Sequence, residues 1–317
     1  MHEVSLIVAT LGERPGDLCS LLSSLAPQAD HLCEVIVVDQ NPDPQRVPAL
    51  LSHFAGCLPV RCVRSEPGLS RARNQGLPLA SGSIVAFPDD DCVYPAGLLE
   101  WVVKWFQSSE RYDLLAVGVK DADGVSSGNR WPQSRCDIRP INAFRTTFSS
   151  SLFVRKDVAV TQRFDEGLGV GSGTPNGSGE ETDYVLRLLK AGARARFDRT
   201  RNIIHPRRDM LSGTGTAARA SSYGFGMGHL LRVHSLAALW MSFLGYNLAR
   251  AACALGRANL KGCQLCIAQT KGLWNGYLEL AHKAVESSVA VSNALHGAAA
   301  QPFLNPTHGD DAASPAA

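Results

Sequence analysis

The sequence lacks a long apolar run. Its longest uncharged apolar stretch, residues 235–249, is shorter than the roughly 20 residues that a membrane-spanning helix requires, so we expect it in a membrane interface or in the core. No signal peptide is evident, because strand-like sequence begins at Val4. The nine cysteines include one CxxC pair, Cys263 and Cys266, without the second pair of a zinc site. We therefore expect a cytoplasmic protein with free thiols.

A strong charge of either sign is also missing. The formal net charge of +2 gives no reason to expect a nucleic-acid partner, and we expect none. The charge is unevenly placed, because residues 194–261 contain eleven Lys or Arg and only two acids, Asp198 and Asp209. Two interpretations of this basic segment are open: a surface that faces phosphates or an anionic membrane, and a solvated helix face.

The first half of the chain alternates short apolar runs with helical patterns, which is typical of βα units that build a mostly parallel sheet. This pattern predicts strands at residues 4–9, 33–39, 60–64 and 83–87, with helices at 17–25, 47–54 and 69–80 between them. Further along, it predicts a helix at 95–106, strands at 112–117 and 148–155, and a helix at 181–191. Residues 120–146 are polar and are predicted to be an irregular insertion.

Composition divides the chain into three parts. Residues 1–210 carry the α/β pattern and are predicted to form the main domain. Residues 211–300 are rich in Ala and Leu and are predicted to be a helical C-terminal region. Residues 301–317 contain Pro and Ala without an apolar pattern, so a disordered tail is predicted there.

Acidic residues follow two of the predicted strands. Asp39 ends the second strand, and Asp89, Asp90 and Asp91 follow the fourth. Ligands of parallel α/β sheets bind beyond the carboxyl ends of the strands. Carboxylates this close repel one another unless a cation, hydrogen bonds or water compensates. Because Mg²⁺ and Mn²⁺ prefer oxygen ligands, the cluster indicates a divalent-metal site, and the alternative is a hydrated acidic turn.

A second acidic cluster opens a predicted helix. Glu180, Glu181 and Asp183 follow a glycine-dense loop. Acids in a first helical turn are favoured by the helix dipole, so they are expected to stabilise the helix. A carboxylate at such a junction is also well placed to accept a proton from a substrate hydroxyl, and the two roles are compatible. Arg187 lies four residues after Asp183 and is expected to pair with it.

Two further groups are candidates for ligand contact. Arg71, Arg73 and Asn74 follow the third predicted strand, where they either hold a nucleotide or form a solvated helix face. His205 follows an apolar pair and precedes a proline, so we expect it to end a strand near the acidic cluster. It is either a structural histidine or a metal ligand that completes an Asp/His set.

Five motifs with these residues occur together in the chain. They are VSLIVAT (4–10), EVIVVDQNPD (34–43), EPGLSRARNQGL (66–77), ASGSIVAFPDDD (80–91) and GSGEETDYVLRLL (177–189). Through them the chain resembles glycosyltransferase family 2, the inverting, nucleotide-sugar-dependent enzymes of the GT-A fold, over about residues 4–205. The resemblance implies a Rossmann-like, mostly parallel sheet flanked by helices and followed by a helical C-terminal extension.

The resemblance assigns nucleotide-sugar contacts to one group of residues. Asp39 matches the family's aspartate that hydrogen-bonds the nucleobase, and Arg71 matches a basic residue of the nucleotide pocket. Asp89 matches the first residue of the DxD motif, which approaches the ribose. Three further residues fall in the matching motifs and are expected to contact the donor: Thr10, Asn74 and Asp90.

The same resemblance assigns a metal and a base. Asp91 matches the DxD residue that coordinates Mn²⁺ or Mg²⁺ on the diphosphate, and Asp89 and His205 are the further candidate ligands. The tripled aspartate leaves open whether Asp90 or Asp91 bears the metal. Glu181 falls where the family has its catalytic base, usually an aspartate, so Glu181 and Asp183 are both candidates.

The resemblance implies that an acceptor hydroxyl displaces a nucleoside diphosphate from a sugar, and the donor that we expect is a UDP-sugar. The expected acceptor is a saccharide or a lipid-linked saccharide of cell-envelope polysaccharide or glycolipid biosynthesis. Residues 1–210 would then be the catalytic domain, and residues 211–300 would serve acceptor binding or association with the inner face of the cytoplasmic membrane. A non-catalytic nucleotide-sugar-binding protein of the same fold is the alternative. A nucleotidyltransferase is disfavoured, because residues 10–17 are a poor match to its glycine-rich phosphate loop.

Overall fold

The computed structural model describes residues 3–109, 111–127, 131–206 and 216–298, with side chains as far as residue 279. The predicted tail, residues 301–317, lies outside the described residues. Eight strands of the described chain form a single sheet: β1 (Val4–Thr10), β2 (Leu32–Asp39), β3 (Val60–Arg64), β4 (Ile84–Ala86), β5 (Leu114–Lys120), β6 (Cys136–Ile138), β7 (Leu152–Arg155) and β8 (Ala195–Ile204).

Helices cover the connections and the C-terminal part. In chain order they are α1 (Pro15–Leu25), α2 (Arg46–Leu51), α3 (Leu69–Gly76), α4 (Leu98–Ser108), α5 (Lys156–Ala159), α6 (Glu180–Lys190), α7 (Ala217–Val233), α8 (Ala237–Gly256) and α9 (Leu260–Ala298). The chain forms one compact unit as far as Leu278, and a second unit begins at Glu279. None of the helices within the described residues is long and apolar enough to cross a bilayer.

The sheet is mixed, with the order β3-β2-β1-β4-β7-β5-β8-β6. Four neighbouring pairs are parallel: β1 with β2, β1 with β4, β2 with β3, and β5 with β8. The three remaining pairs are antiparallel and involve β7 or β6. The parallel half contains the βα units that the sequence predicts, and the antiparallel strands join this half to β5 and β8.

Apolar patterning explains how the parallel half packs. Helix α1 begins with Pro15, whose fixed φ suits a first helical position, and it buries four leucines at helical spacing: Leu18, Leu21, Leu22 and Leu25. The last five residues of β2 are fully buried as a continuous run, as is typical of a strand covered on both faces. Burial of these side chains fixes the register of β1 against β2, in which Thr10 lies opposite Asp39.

Two segments differ in type of secondary structure from the sequence prediction. Residues 148–155, predicted as one strand, form a 3₁₀ turn at Ser149–Ser151 followed by β7. The turn has a structural reason, because the Ser150 hydroxyl accepts a hydrogen bond from the Asp89 amide (3.0 Å). The insertion at 120–146 contains β6, which pairs with β8 at the sheet edge. A strand of three residues is too short to show an alternating pattern.

Candidate active site

The aspartate cluster lies at the carboxyl edge of the parallel strands, as its position after β4 predicts. Ala9 of β1 forms a parallel bridge with Asp89, and Thr10, at the end of β1, lies opposite Asp39. The Thr10 hydroxyl donates a hydrogen bond to Asp90 Oδ2 (2.7 Å). The fold therefore brings Thr10, Asp39 and the three aspartates to one edge, although the sequence separates them widely.

His205 completes this cluster from the other half of the sheet. It follows β8, and its Nε2 lies 3.1 Å from Asp91 Oδ1 and 3.6 Å from Asp89 Oδ2. Its Nδ1 lies 2.9 Å from the Pro206 carbonyl oxygen, which fixes the ring with Nε2 towards the aspartates. Burial opposes protonation of the imidazole, but its hydrogen bonds to Asp89 and Asp91 and their charges outweigh burial and raise its pKa to about 9.

The donor set fits a divalent cation. Ligand atoms of Asp89, Asp91 and His205 all lie within 4.8 Å of one another. The hydrogen bond from Nδ1 to a carbonyl is the support that metal-binding histidines usually have. Carboxylate oxygens favour Mg²⁺ or Mn²⁺, and the imidazole favours a transition metal such as Mn²⁺. Asp90 faces Thr10 and Arg14 instead, so the structure brings Asp91, not Asp90, together with His205.

Arg14 neutralises the cluster and was not identified from the sequence. Its guanidinium donates to Asp91 Oδ2 and Asp90 Oδ1, both at 2.5 Å. Burial favours the neutral form of Asp91, yet hydrogen bonds and charges of His205 and Arg14 dominate and hold the pKa of Asp91 far below its usual range. The pKa of Asp90 is raised, because burial and the neighbouring aspartates outweigh Thr10 and Arg14. The loop after β1 carries no pattern that would have singled out Arg14.

Asp39 is fully buried at the end of β2. Its Oδ1 accepts the Asn41 amide N–H (2.8 Å), and its Oδ2 accepts Arg64, at the end of β3 (2.5 Å). These two contacts orient the carboxylate at the same strand edge as Thr10. Arg64, like Arg14, is a site residue that the sequence patterns did not indicate.

The two candidate residues of α3 contact the segment before the glycine-rich loop. Arg71 is half exposed and pairs with Glu166 (3.2 Å), which lies beyond Phe164 in the chain. The Asn74 side chain is buried, donates to the Phe164 carbonyl (2.9 Å) and accepts from its amide (2.8 Å). Asn74 therefore positions this segment, and Arg71 is the more accessible of the two.

Arg73, between these residues, occupies the centre of the site. Its side chain is almost fully buried, and its guanidinium lies 3.2 Å from Asp89 and 3.3 Å from Glu180, over the Phe164 ring. A buried guanidinium with two carboxylates connects the aspartate cluster to the start of α6. Sequence analysis placed Arg73 in a basic helix without a specific role. Because successive residues of a helix point about 100° apart, Arg71 and Arg73 face different sides, which the spacing alone implies.

Glu181 and Asp183 have contrasting surroundings at the start of α6. Glu181 is partly exposed and makes no salt bridge with any side chain that the structure describes. Burial and the neighbouring charge of Glu180 raise its pKa to about 8. Asp183 is buried, and Arg187 (2.7 Å) and His234 Nε2 (2.8 Å) both donate to it. The expected Asp183–Arg187 pair is thus present, and His234 is a partner that sequence analysis missed.

Although burial alone would raise it, the pKa of Asp183 is lowered, because the hydrogen bond from His234 and the charge of Arg187 outweigh burial. A carboxylate with a low pKa and two donors is a poor proton acceptor. Glu181, with a raised pKa and no salt bridge to the described side chains, has the property that a general base needs near neutral pH.

Helix α7 holds the glycine-rich loop that leads into α6. The Ser178 hydroxyl donates to the Tyr223 carbonyl (3.0 Å), and the Ser222 hydroxyl donates to the Pro175 carbonyl (2.9 Å). A Cβ at Gly226 would lie 2.4 Å from Ser178 O, so only glycine permits this approach. Gly179, at a φ of +99°, ends the loop as the residue before α6. The C-terminal helices therefore contribute directly to the position of Glu181.

Comparison with known proteins agrees with this geometry. A family model described as glycosyl transferase family 2 matches residues 5–164, half of the chain. The chain is 27% identical over 146 residues to the minor teichoic acid biosynthesis protein GgaB of Bacillus subtilis (strain 168), covering 43% of this chain and 16% of GgaB. It is 26% identical over 184 residues to the amylovoran biosynthesis glycosyltransferase AmsE of Erwinia amylovora, covering 57% of this chain and 66% of AmsE. The chain spans less than two thirds of either relative.

Among solved structures, the chain is similar to residues 1–349 of S. aureus TarS. In the complex of that protein with UDP-GlcNAc the TM-score is 0.56 at 15% identity, over 86% of this chain and 91% of the other. In its complex with UDP the TM-score is 0.53 at 13% identity, over 89% and 92%. At these identities the similarity establishes the fold, which is of the GT-A type, and the similarity extends into the C-terminal helices.

Proposed function

Because the chain belongs to glycosyl transferase family 2, we propose that it transfers a sugar from a nucleoside-diphosphate sugar to an acceptor hydroxyl with inversion at the anomeric carbon. The observation that carries this proposal is the pairing of two unlike acidic sites through Arg73. One site, Asp89–Asp91 with His205, has a metal-ligating donor set. The other presents Glu181, whose carboxylate has a raised pKa and no cation partner among the described side chains.

The donor binds at the carboxyl edge of β1, β2 and β4. Asp39 accepts hydrogen bonds from the nucleobase, and Asp89 approaches the ribose; Thr10, Arg71, Asn74 and Asp90 complete the donor site. UDP is the nucleotide that we favour, because the structurally similar TarS is known in complex with UDP and with UDP-GlcNAc. Asn74 acts by holding the segment that Arg71 contacts, since its own polar atoms are already engaged.

Asp89, Asp91 and His205 are the residues that would hold Mn²⁺ or Mg²⁺. Such an ion, when bound, supplies positive charge that stabilises the departing diphosphate. His205 makes Mn²⁺ the better match of the two, because Mg²⁺ rarely accepts an imidazole ligand. Arg14 lies against the same aspartates and offers a second positive charge on the diphosphate side.

Glu181 acts as the general base. Its carboxylate removes the proton from the acceptor hydroxyl, and the oxygen attacks the anomeric carbon as the bond to the diphosphate breaks. General-base assistance of this kind contributes about 10²–10⁴-fold to the rate. Asp183 positions α6 through Arg187 and His234 and does not take part in proton transfer.

The acceptor is a saccharide or a lipid-linked saccharide of cell-envelope polysaccharide or glycolipid biosynthesis. Support comes from the names of two relatives, a teichoic acid protein and an amylovoran glycosyltransferase. We assign catalysis to residues 1–210 and acceptor binding or membrane association to residues 211–300. The protein would then work in the cytoplasm, at the inner face of the cytoplasmic membrane. The non-catalytic alternative is not favoured, since both acidic sites are intact.

A panel of nucleotide sugars tests this function. The purified protein is incubated with each UDP-, GDP- and dTDP-sugar, with Mn²⁺, with Mg²⁺ or with chelator, and release of the nucleoside diphosphate is measured. We expect release from a UDP-sugar that requires a divalent ion and that disappears in Glu181→Gln. A folded protein that binds UDP but releases none from any donor, with or without oligosaccharide acceptors, would favour the non-catalytic alternative.

A further inference from the structure

Exposed apolar side chains are concentrated on the C-terminal helices. Of the fourteen large hydrophobic residues that are exposed among the described side chains, eight lie within residues 233–274. The other six are scattered singly between residues 11 and 170. Single exposed apolar residues are normal, whereas a concentration on neighbouring helices marks a contact surface.

These residues form a row on each of two helices. On α8 the exposed fractions of Met241, Leu248 and Leu255 are 60%, 57% and 57%, at intervals of seven residues. On α9 the row is Leu260, Ile267 and Trp274, with exposed fractions of 64%, 44% and 48%, at the same interval. Seven residues are close to two helical turns, so each row follows one side of its helix.

The two helices form a hairpin. The Trp240 indole of α8 stacks on Tyr277 of α9, with ring centroids 4.1 Å apart, and donates to the Leu273 carbonyl (3.1 Å). Trp274, in the exposed row, packs at 5.3 Å against the same indole. Both rows therefore belong to one element, the α8–α9 hairpin (residues 237–278). Trp274 lies at the edge of the aromatic contacts that join the two helices.

The charge of the C-terminal helices indicates which kind of partner binds the two exposed apolar rows. Residues 217–278 contain six Lys or Arg and no Asp or Glu. Arg257 and Lys261, both exposed, lie in and beside the turn between α8 and α9, and Lys271 lies between Ile267 and Trp274 in the sequence. A second copy of the chain would place two such basic hairpins together. An anionic surface is electrostatically favoured instead.

We propose that the α8–α9 hairpin docks on the anionic surface of a phospholipid bilayer. The two apolar rows insert at the level of the headgroup and acyl boundary, and Arg257, Lys261 and Lys271 contact lipid phosphates. The hairpin lies in the interface, since none of the described helices can cross a bilayer. Docking of the hairpin specifies the membrane surface at which the proposed function takes place. It rests on the proposed function only where the acceptor is taken to be lipid-linked.

Contacts between helices connect the α8–α9 hairpin to the residues around Glu181. A Cβ at Gly228 of α7 would lie 2.2 Å from Leu273 O of α9, so these helices touch backbone to backbone. Tyr223 of α7 in turn accepts a hydrogen bond from Ser178, and His234, directly after α7, donates to Asp183. Docking therefore fixes the orientation of the Glu181 site relative to the lipid surface, where a lipid-linked hydroxyl would arrive.

Flotation of the full chain with vesicles tests the proposal. The vesicles are phosphatidylcholine alone or phosphatidylcholine with phosphatidylglycerol. We expect co-flotation with the anionic vesicles only, and weaker binding at high salt. Leu248→Glu should lower the partition coefficient by about tenfold, because it replaces apolar burial with a charge. Val160→Glu introduces the same charge at an exposed apolar residue outside the C-terminal helices and should leave the partition coefficient unchanged.

Two outcomes would overturn the inference. One is absence of flotation with anionic vesicles. The other is a wild-type dimer that Leu248→Glu converts to a monomer, by light scattering, without a change in flotation, which would make a second copy the occupant. Nucleoside-diphosphate release from the donor is measured in parallel without vesicles, with and without the oligosaccharide acceptors. Release without flotation would refute docking alone, and flotation without release would refute the proposed function alone.

Discussion

The aspartate cluster and the start of α6 are both acidic, yet the pKa values of Asp91 and Glu181 are shifted in opposite directions. At the cluster, His205 and Arg14 surround Asp91, and the pKa of its carboxyl is far below the usual range. At the start of α6, Glu181 has no salt bridge among the described side chains, and its pKa is raised to about 8. Carboxylates that stay ionised suit a cation, and a carboxylate whose pKa lies near neutral pH suits proton transfer.

The difference follows from which side chains the fold brings to each acid. Arg73 lies between the two sites but donates to Asp89 and Glu180, not to Glu181. Asp183, only two residues further along, receives two donors. Residue type alone therefore does not distinguish the proposed roles of metal ligand, base and structural acid in this site. We base these roles on the distribution of cations, and variants that alter it test the contrast.

The largest expected effect comes from removing the proposed base. Glu181→Gln keeps the size of the side chain but cannot accept a proton, so sugar transfer should fall by about 10²–10⁴-fold. Binding of UDP with Mn²⁺, measured by calorimetry, should stay within a factor of about three. The readout is initial rate of nucleoside-diphosphate release in the presence of an acceptor.

Asp183→Asn is the matched control for the base. It removes the charge that Arg187 and His234 face, so it should lower the melting temperature but reduce transfer less than Glu181→Gln does. If Asp183→Asn abolished transfer in a folded protein while Glu181→Gln retained it, the two roles would have to be exchanged.

Removing the link between the two sites should cost stability. Arg73→Met leaves the buried Glu180 and the partly buried Asp89 without their shared cation. Loss of one partner of a buried ion pair typically costs about 3–5 kcal/mol. Urea unfolding should show a loss of this order in the free energy of unfolding, and a loss below about 1 kcal/mol would show that water, not Arg73, compensates the two acids.

A smaller effect is expected in the pH dependence of stability. The pKa of Glu181 is raised above its ordinary value of 4.5 to about 8 in the folded protein. Its protonated form therefore stabilises the fold fully below about pH 4.5, and this contribution is lost as the pH rises through about 8. Glu181→Gln lacks the titration. Between pH 5 and pH 8, the ligand-free wild type should lose on the order of 2 kcal/mol more than the variant.

Urea unfolding of the wild type and of Glu181→Gln at the two pH values measures this difference. The contributions of the other titrating groups are the same in the two proteins and cancel. Equal losses in wild type and Glu181→Gln would mean that the Glu181 carboxylate is solvated in the folded protein. Its pKa would then give no reason to choose it as the base.

Much of the fold was accessible from the sequence because its parallel half is built from local patterns. Residues 60–64 were predicted as a strand with the bounds that β3 has, and the predicted strand at 33–39 differs from β2 by one residue. The helix predicted at 69–80 ends earlier, at Gly76, and continues as a 3₁₀ turn at Leu77–Leu79 around Pro78. The edge strand β6 was missed, since its pairing with β8 is a tertiary contact.

The residues of the candidate site also divide into those that local sequence motifs indicate and those that only the folded structure shows. Asp39, the aspartate cluster and Glu181 stand in motifs at strand or helix ends, which a sequence shows. Arg14, Arg73 and His234 owe their importance to partners between 16 and 107 residues away in the chain, and only the folded structure shows those contacts. For the same reason the choice between Glu181 and Asp183 could not be made from residue types.

Calorimetric titration of UDP with and without Mn²⁺ tests the central claim, that Asp91 and its neighbours hold a cation for the diphosphate. For the wild type, Mn²⁺ should tighten UDP binding at least tenfold, a gain of about 1.4 kcal/mol. In Asp91→Ala, with the fold verified by circular dichroism, this gain should disappear. A wild type that binds UDP equally with and without Mn²⁺, or an Asp91→Ala variant that keeps the full gain, would contradict the account.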